Sequence, residues 1–392
     1  MQYRLDKKSG NKLSALGLGC MRLPGGFGRI DMQKSEALIM RAIEGGVNFF
    51  DTAYLYPGSE VALGTILEKN KAREKVYIGT KLPLFKCHSY EDFDKLFNEE
   101  LERLRTNYID YYFMHNLSGL HDWKRLCELG VEKWIAEKKA EGKIKQLGFS
   151  FHGLKDQFVK LIDAYEWDFC MIQYNYININ YQAGRDGLKY AHSKDIPVII
   201  MEPLLGGRLV NDLPPTAVNL LKQSDPNATS ASWALRWIWH QSEPTVLLSG
   251  MSDMAQLDEN LALAVNSEPE CMTDDELKII EKVADIFQES YKIPCTGCNY
   301  CLPCPKGINI PDSFLAYNTS YTISRFAGIT QYATTTGGFN TTFSLYDCTK
   351  CGHCEKHCPQ NIAIVERILE VRKRMEPLWY RTAIKIAKKV MK

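Results

Sequence analysis

Eight of the thirteen cysteines fall into two short motifs near the end of the 392-residue chain. The first motif, CTGCNYCLPCP, begins at Cys295, and the second, CTKCGHCEKHCP, begins at Cys348. In both motifs three thiols are separated by two residues each, and a fourth cysteine directly precedes a proline. The N-terminal segment lacks the apolar run of a secretory signal, which predicts a cytoplasmic protein, and clustered cysteines in that reducing compartment indicate metal rather than disulfides. We therefore interpret both motifs as metal-binding.

The second motif has the spacing C-x2-C-x2-C-x3-C-P, the run with which bacterial ferredoxins bind [4Fe–4S] clusters. The first motif is similar but one residue shorter before its last cysteine. The resemblance implies two clusters, with the fourth cysteine of each motif ligating the cluster of the other motif. One cluster would then be held by Cys295, Cys298, Cys301 and Cys358, and the other by Cys348, Cys351, Cys354 and Cys304. Structural zinc is the alternative, since zinc sites built from four cysteines also use C-x2-C pairs, but zinc does not need three evenly spaced thiols followed by Cys-Pro.

A second group of reactive side chains lies much earlier in the chain, at and after the ends of three successive apolar segments. It combines a carboxylate, an ammonium, an imidazole and a phenol, from Asp51, Lys81, His115 and Tyr56. Each residue alone has a structural explanation, as a turn cap, a solvated strand end, a core histidine or a packed ring. Four such groups at neighbouring strand ends favour a catalytic site with acid–base chemistry.

These side chains can meet only if their strands lie side by side, so the order of the elements matters. Short β-branched or apolar segments alternate with helical patterns along the chain. Strands are predicted at residues 13–20, 46–51, 75–81, 108–115, 143–150, 167–175, 196–203 and 244–250. Helices are predicted at residues 31–45, 59–70, 90–105, 131–141, 154–165, 184–193, 228–240 and 253–265. Eight βα units predict an α/β fold, a (β/α)8 TIM barrel, with the site at the C-terminal ends of its strands. An open doubly wound sheet is the alternative, but GLGCMRLPGG stands where its G-x-G-x-x-G turn is expected.

The segments DTAYLY, GTK, YFMHN, GFS, IQYN and the later LDEN, together with this alternation, resemble the aldo-keto reductase superfamily over residues 1–270. Members of that superfamily are (β/α)8 barrels that reduce carbonyls with a nicotinamide cofactor. The resemblance implies that Tyr56 is the general acid, that Lys81 paired with Asp51 lowers the pKa of the phenol, and that His115 orients the substrate oxygen. It further implies a cofactor site formed by Ser150, Gln173, Asn175, Met201 and Asn260.

Two departures from the family pattern concern the cofactor. Met201 and Glu202 lie where many relatives place an aromatic residue that stacks on the nicotinamide. In the loop that grips the 2′-phosphate of NADP, the lysine, serine and arginine of the family are replaced by Gly250, Met251 and Gln256. Without these cations the usual electrostatic preference for NADP is lost. The sequence leaves NAD(P)(H) and flavin open, since flavin supports both hydride and one-electron chemistry.

Four parts of the chain follow from these patterns: a barrel at 1–272, a linking helix at 273–293, a ferredoxin-like domain at 294–366 and a basic C-terminal helix at 367–392. Thr273 and Glu276 have the spacing of a capping box at the start of the linking helix. A further helix is predicted near 312–328. The whole layout, a TIM barrel followed by a small bacterial-ferredoxin-like domain, resembles the iron–sulfur aldo-keto reductases.

Partners are constrained by charge. With 24% charged residues and a net charge of +1, the chain has no overall field that would recruit nucleic acid. The C-terminal segment places Tyr380 and Ala383 on one helical face and lysines around the rest, a pattern that could dock an acidic ferredoxin or a membrane surface. A helix lying on its own protein is the favoured interpretation.

Function is therefore expected to be that of an oxidoreductase that interconverts a small carbonyl and its alcohol, with two [4Fe–4S] clusters exchanging electrons with a ferredoxin-like partner. Two alternatives stay open. In one, the clusters are purely structural beside plain NAD(P)H-dependent reduction. In the other, the protein is an electron-transfer or assembly module whose barrel is a scaffold. The complete set of four reactive side chains favours an enzyme.

Overall fold

The computed structural model describes residues 1–26, 29–333 and 344–382. The chain divides into two compact units, one formed by Met1–Pro203 and Ala234–Thr273 and the other by Leu204–Trp233 and Asp274–Lys392. This division differs from the boundary predicted at residue 272, because the segment Leu204–Trp233 clusters with the C-terminal part of the chain. No helix within the described ranges is long and apolar enough to cross a membrane.

The first unit contains a closed barrel of eight parallel strands, which confirms the predicted (β/α)8 fold. The strands are β1 Leu16–Gly19, β2 Phe49–Asp51, β3 Tyr77–Leu82, β4 Ile109–Leu117, β5 Ile144–Phe151, β6 Phe169–Gln173, β7 Val198–Met201 and β8 Pro244–Ser249. They pair in chain order, and β8 closes the barrel by pairing with β1. An antiparallel hairpin of Tyr3–Leu5 and Lys12–Ser14 precedes the barrel.

The helices that alternate with these strands lie close to their predicted positions. They are Met32–Glu44, Ser59–Lys69, Tyr90–Leu104, Val131–Ala140, Lys155–Ile162, Gly184–Ser193, Ser230–Trp239 and Met254–Leu263, with an additional helix Leu120–Glu128 that the sequence patterns did not predict. The helix Tyr90–Leu104 illustrates why they form. Ser89 and Asp92 make a capping box at its N-terminus, and Phe93 and Phe97 bury one helical face.

Aromatic rings fill the barrel interior. The ring of Phe113 lies edge-on to Phe169 with centroids 4.6 Å apart, and Phe49 lies edge-on to Tyr111 at 5.2 Å. Gly79 leaves room for these rings, since a Cβ atom there would lie 2.9 Å from the Phe113 side chain. The site residues lie next to this packed layer, toward the C-terminal ends of the strands.

The second unit is mainly helical. Its helices are Arg208–Asn211, Pro215–Ser224, Asp274–Ser290, Ile310–Thr322, Arg325–Tyr332, His353–Lys356 and Ile364–Met375. Its core includes Phe314, Ile368 and Val371, and six of the eight cysteines of the two motifs belong to this core or pack against it: Cys295, Cys301, Cys304, Cys348, Cys354 and Cys358.

Two differences from the sequence predictions have local causes. The helix expected near 312–328 is two helices, since Ser324 is extended and its side chain caps the second one. Toward the C-terminus the helix that begins at Ile364 ends at Met375, shortly before Pro377, which has no N–H to continue it. The last ten residues of the predicted basic helix, including Ala383 and the lysines after it, lie outside the described residues.

Candidate functional site

The barrel strands carry the site residues to one layer by strict alternation. Successive side chains of a strand point to opposite faces, so residues two positions apart share a face. One layer of the interior core is formed by Phe49, Phe113, Met171 and Ile199. Two positions further along the same strands stand Asp51, His115, Gln173 and Met201. The core residues and the site residues therefore form consecutive layers of the barrel interior. Lys81 belongs to the site layer for the same reason, since it lies two positions after Gly79.

Lys81 and Asp51 form a buried ion pair in this layer. The Lys81 Nζ lies 2.5 Å from Asp51 Oδ1 and 2.6 Å from the backbone oxygen of Thr52, to both of which it donates. Only 1% of Lys81 and 5% of Asp51 is exposed. Burial lowers the pKa of Lys81, and Asp51 opposes this shift. Burial likewise raises the pKa of Asp51 against the attraction of Lys81. The carboxylate thus keeps a desolvated ammonium charged at this point.

Tyr56 is held on the loop between β2 and the helix Ser59–Lys69. Its N–H donates to Ala53 O at 3.0 Å, and its carbonyl accepts from Ser59 N at 3.1 Å. The Ser59 hydroxyl in turn donates to Cys20 O at 2.9 Å and contacts the Thr52 hydroxyl at 2.8 Å. The loop is therefore fixed to the ends of β1 and β2. It holds the half-buried ring of Tyr56 with its centroid 5.0 Å from Lys81 Nζ.

His115 completes the group from the end of β4. Its ring lies nearly perpendicular to that of Tyr56, with centroids 6.2 Å apart. Burial, the charge of Lys81 and the nearby His152 hold the pKa of His115 well below its usual value. The imidazole is therefore neutral at physiological pH. A neutral ring can bind a substrate oxygen without adding a second positive charge beside Lys81.

A β-bulge after His115 was not visible in the sequence patterns. The pairing of β4 with β5 shifts between Met114 and Leu117, and Asn116 has a φ of 62° in the left-handed region. The backbone N–H of Asn116 donates to Ser150 Oγ at 2.8 Å. Bulges re-aim side chains near active sites, and asparagine is among the residues that tolerate this conformation best. The asparagine directly after His115 was the available signal.

Ser150 and Gln173 lie on the neighbouring strands β5 and β6. Ser150 is paired with Met171, so its side chain lies on the same face as that of Gln173 two positions later. Gln173 is fully buried, and its Nε2 has no hydrogen-bond partner among the described residues. The Ser150 hydroxyl accepts from Asn116 and retains its own hydrogen. A buried, unused amide donor is costly unless a ligand satisfies it.

The other residues predicted to bind cofactor have different environments. The side-chain amide of Asn175 forms hydrogen bonds within the protein. Its Nδ2 donates to Glu202 O at 3.1 Å. Its Oδ1 accepts from the backbone N–H groups of Ile177 and Asn178. It anchors the turn after β7, where Glu202 has a φ of 55°. Met201 is paired with Gln173 and is partly exposed.

Beyond β8, Asn260 is buried, and its Nδ2 donates to Ser249 Oγ at 3.0 Å. In the loop before it, the carboxylate of Asp253 accepts from Gln256 N at 2.9 Å and caps the helix Met254–Leu263. The Gln256 side chain folds back and accepts from Ser252 N at 3.0 Å. The residues at the positions of the family's cationic grip are thus neutral, and Asp253 adds a carboxylate that sequence reasoning overlooked.

The second unit contains two cavities lined by cysteines. The first is lined by Cys295, Cys298, Cys301 and Cys358. The second is lined by Cys348, Cys351, Cys354 and Cys304. Each cavity therefore brings together three cysteines of one motif and the last cysteine of the other, in the two sets derived from the ferredoxin resemblance. Nowhere in the described residues do three Cys, His, Asp or Glu side chains gather as they would around a single metal ion. The four thiols of each set instead line one common cavity.

Comparison with known proteins identifies both parts of the chain. Residues 15–285 match the aldo/keto reductase family, and residues 294–363 match the 4Fe-4S dicluster domain. The L-galactose dehydrogenase of Arabidopsis thaliana is 29% identical over 311 residues, which is 73% of this chain and 95% of that protein. The NADH-specific methylglyoxal reductase of Escherichia coli is 28% identical over 297 residues, which is 64% of this chain and 89% of that protein.

Solved structures show the same barrel. The holo form of an aldo-keto reductase from Bacillus halodurans superposes with a TM-score of 0.60 at 23% identity, covering 72% of this chain and 96% of that one. An aldo-keto reductase from Klebsiella pneumoniae in complex with NADPH gives a TM-score of 0.59 at 20% identity, covering 72% and 95%. At these identities the likeness establishes the fold alone.

Proposed function

The chain belongs to the aldo/keto reductase family and carries a 4Fe-4S dicluster domain, and on that premise we propose that it interconverts a small carbonyl compound and its alcohol with NAD(H). The observation that carries the proposal is the buried ion pair of Lys81 and Asp51 beside the half-buried ring of Tyr56. A desolvated cation next to a phenol is the arrangement that makes the phenol a usable acid near neutral pH.

In the direction of reduction, Tyr56 donates its phenolic proton to the carbonyl oxygen. The nearby charge of Lys81 stabilises the phenolate that remains, and Asp51 keeps Lys81 in place and charged. His115, neutral and fixed edge-on to Tyr56, orients the carbonyl oxygen toward the phenol. A nicotinamide held at this site would supply the hydride for the carbonyl carbon, which gives the alcohol and the oxidised coenzyme. The Tyr56 phenolate regains its proton from water.

The chain's own donors fit a nicotinamide. Its carboxamide needs hydrogen-bond partners inside a dry site, and both the Gln173 Nε2 and the Ser150 hydroxyl can donate there from adjacent strand ends. Asn175 supports this region by holding the turn at Glu202 and does not offer its amide to a ligand. The unpaired amide donor of Gln173 suits the carboxamide oxygen of a nicotinamide.

NAD(H) is favoured over NADP(H) by charge. The 2′-phosphate is normally bound by cations, whereas here Gly250 and Met251 carry none, and Gln256 is neutral and folded onto its own loop. Asp253 places a carboxylate at the helix N-terminus, where a phosphate would otherwise be attracted. One of the relatives, the methylglyoxal reductase, is NADH-specific by name, which agrees with this preference.

The two cysteine-lined cavities would hold two [4Fe–4S] clusters, one on Cys295, Cys298, Cys301 and Cys358 and one on Cys348, Cys351, Cys354 and Cys304. A cavity lined by four thiols suits a cluster, whereas a single zinc ion binds four sulfur ligands at a Zn–S distance of about 2.3 Å. Each cluster exchanges one electron, so the pair can pass two electrons in succession to or from a partner. A small ferredoxin-like protein is the partner that such clusters fit.

The proposal is tested on anaerobically purified full-length protein. We expect about eight iron and eight acid-labile sulfide per chain, and NADH oxidation that depends on an added aldehyde or ketone. Stoichiometric zinc in place of iron would contradict the cluster assignment. Dithionite-reduced clusters that are reoxidised by a carbonyl substrate or by ferredoxin support electron exchange. Clusters that never reoxidise, together with full NADH turnover after iron removal, would make them structural.

A further inference from the structure

The second unit holds a buried arginine beside the first cysteine motif. Arg208 begins the helix Arg208–Asn211, and its side chain is 14% exposed. A Cβ atom built on Gly297 would lie 3.1 Å from Arg208 Nη2, so this nitrogen lies against the turn between Cys295 and Cys298. The charge of Arg208 also interacts electrostatically with Cys295.

Close backbone packing fixes the segment that carries Arg208 against this turn. Gly206 has a φ of 67°, and a Cβ atom on it would lie 2.2 Å from the carbonyl oxygen of Thr296. Only glycine fits such an approach and this conformation. Thr296 is itself buried and lies between Cys295 and Gly297. The close contact between Gly206 and Thr296 therefore holds the segment that carries Arg208 beside the first motif.

Arg208 is incompletely paired. Its Nη1 donates to Asp212 Oδ2 at 3.0 Å, and the Asp212 side chain is 11% exposed. Its Nε is buried without a hydrogen-bond partner among the described residues. A desolvated cation with one carboxylate partner and an unused donor is expensive to bury unless another negative group lies close by. A cluster with four thiolate ligands is such a group.

A cation also lies near the second motif. Arg372 is partly buried, and its guanidinium lies 4.6 Å from the ring centroid of Tyr346, two residues before Cys348. Its Nε is likewise buried without a hydrogen-bond partner among the described residues. Both motifs therefore have a partly buried guanidinium in their neighbourhood.

Building on the two clusters of the proposed function, we infer that Arg208 raises the reduction potential of the cluster held by Cys295, Cys298, Cys301 and Cys358. Reduction adds one negative charge to a cluster, and a nearby desolvated cation stabilises the reduced form. Asp212 partly offsets this effect because it neutralises the guanidinium.

The test is an anaerobic redox titration of the full-length protein, followed by electron paramagnetic resonance. Arg208→Gln removes the charge and should move the potential of one cluster to a more negative value while that of the other cluster stays. Asp212→Asn leaves Arg208 uncompensated and should move the potential of the same cluster in the positive direction. Arg208→Lys should keep a potential close to that of the wild type.

Opposite shifts from two partners of one ion pair separate an electrostatic role from a merely structural one. Arg325→Gln removes an exposed charge of the same unit and should move neither potential. Shifts of the same sign in Arg208→Gln and Asp212→Asn, no shift in either, or equal shifts of both clusters would each overturn the inference. If Arg208→Gln fails to assemble its clusters, the sign of the Asp212→Asn shift decides.

Iron content and NADH-dependent carbonyl reduction are measured on the same samples. Two intact clusters without the expected shifts overturn only the role of Arg208. A wild-type protein that binds no iron overturns the cluster assignment together with this inference.

Discussion

Lys81 Nζ lies 2.5 Å from Asp51 Oδ1 in the barrel interior, and the two residues come from the neighbouring strands β2 and β3. Burial disfavours the charge of each, and each stabilises the charge of the other. Removing one partner of such a pair leaves the other charge uncompensated. The pair therefore links the position of Lys81 to its protonation state, which the pH dependence of catalysis can report.

Asp51→Asn should lower kcat/KM and move the alkaline limb of the pH–rate profile to lower pH. Burial already lowers the pKa of Lys81, and Asp51 opposes that shift, so without Asp51 the ammonium loses its proton at a lower pH. Asp110→Asn is the matched control, since Asp110 pairs with Arg73 at 2.8 Å toward the opposite end of β4. It should cost stability and leave the profile unchanged. An Asp51→Asn profile identical to that of the wild type would remove the pair from the mechanism.

Tyr56→Phe should lower turnover by at least about 10²-fold, the usual contribution of a positioned general acid. The affinity for NADH should be preserved, because the ring and its contacts with Lys81 and His115 remain. Tyr54→Phe is the control from the same loop, where the hydroxyl donates to Glu99 at 2.7 Å instead. Steady-state kinetics and coenzyme fluorescence check both variants. Equal turnover in the two variants would contradict the role of Tyr56.

Gln173→Leu should weaken NADH binding by about tenfold, the value of one hydrogen bond in a buried site. The coenzyme-free protein should lose no thermal stability from the loss of hydrogen bonding, because the Gln173 Nε2 has no partner in the described residues. Isothermal titration and thermal unfolding measure the two effects. Gln146→Leu, the same change near the other end of β5, should leave NADH affinity intact. A large stability loss with unchanged affinity would show that Gln173 is structural.

Asp253→Ser combined with Gln256→Arg should improve the affinity for NADPH relative to NADH by at least about tenfold. The change removes a carboxylate and adds a cation at the helix N-terminus, while serine can still cap the helix. Ala255→Arg adds the same charge one exposed position away and serves as the control. Tighter binding of NADPH than of NADH by the wild type would refute the proposed coenzyme.

Pairs of cysteine substitutions should reveal which thiols share a cluster. Cys298→Ser with Cys358→Ser should damage one cluster and leave about four iron per chain, since both thiols line one cavity. Cys351→Ser with Cys358→Ser should damage both clusters and leave less iron, because these thiols line different cavities. Iron and sulfide analysis on anaerobic samples distinguishes the two. The reverse order would show that each motif binds its own cluster without crossing over.

The sequence alone was sufficient for the order of the barrel elements, since the periodicity of apolar residues is a local property. It predicted all eight strands of the barrel, and the helices between them agree within a few residues. It also placed Asp51, Lys81 and His115 at consecutive strand ends. In a closed parallel barrel those ends meet on one face whatever the details of packing.

Local patterns were insufficient wherever a property depends on register or on long-range contacts. The distance between Lys81 and Asp51 depends on the pairing of Asp51 with Gly79, and the orientation of His115 depends on the bulge at Asn116. The alternation of residues along a single strand predicts neither property. A shift of register leaves that alternation unchanged but gives every residue a different partner on the neighbouring strand.

The contacts of the Leu204–Trp233 segment gave the largest difference between sequence and structure. Its sequence reads as part of the barrel, yet it packs with the C-terminal unit and carries Arg208 to the turn between Cys295 and Cys298. The cysteine spacing indicated which thiols could share a cluster. Only the tertiary structure decided which charge lies beside them, because that contact joins residues almost ninety positions apart along the chain.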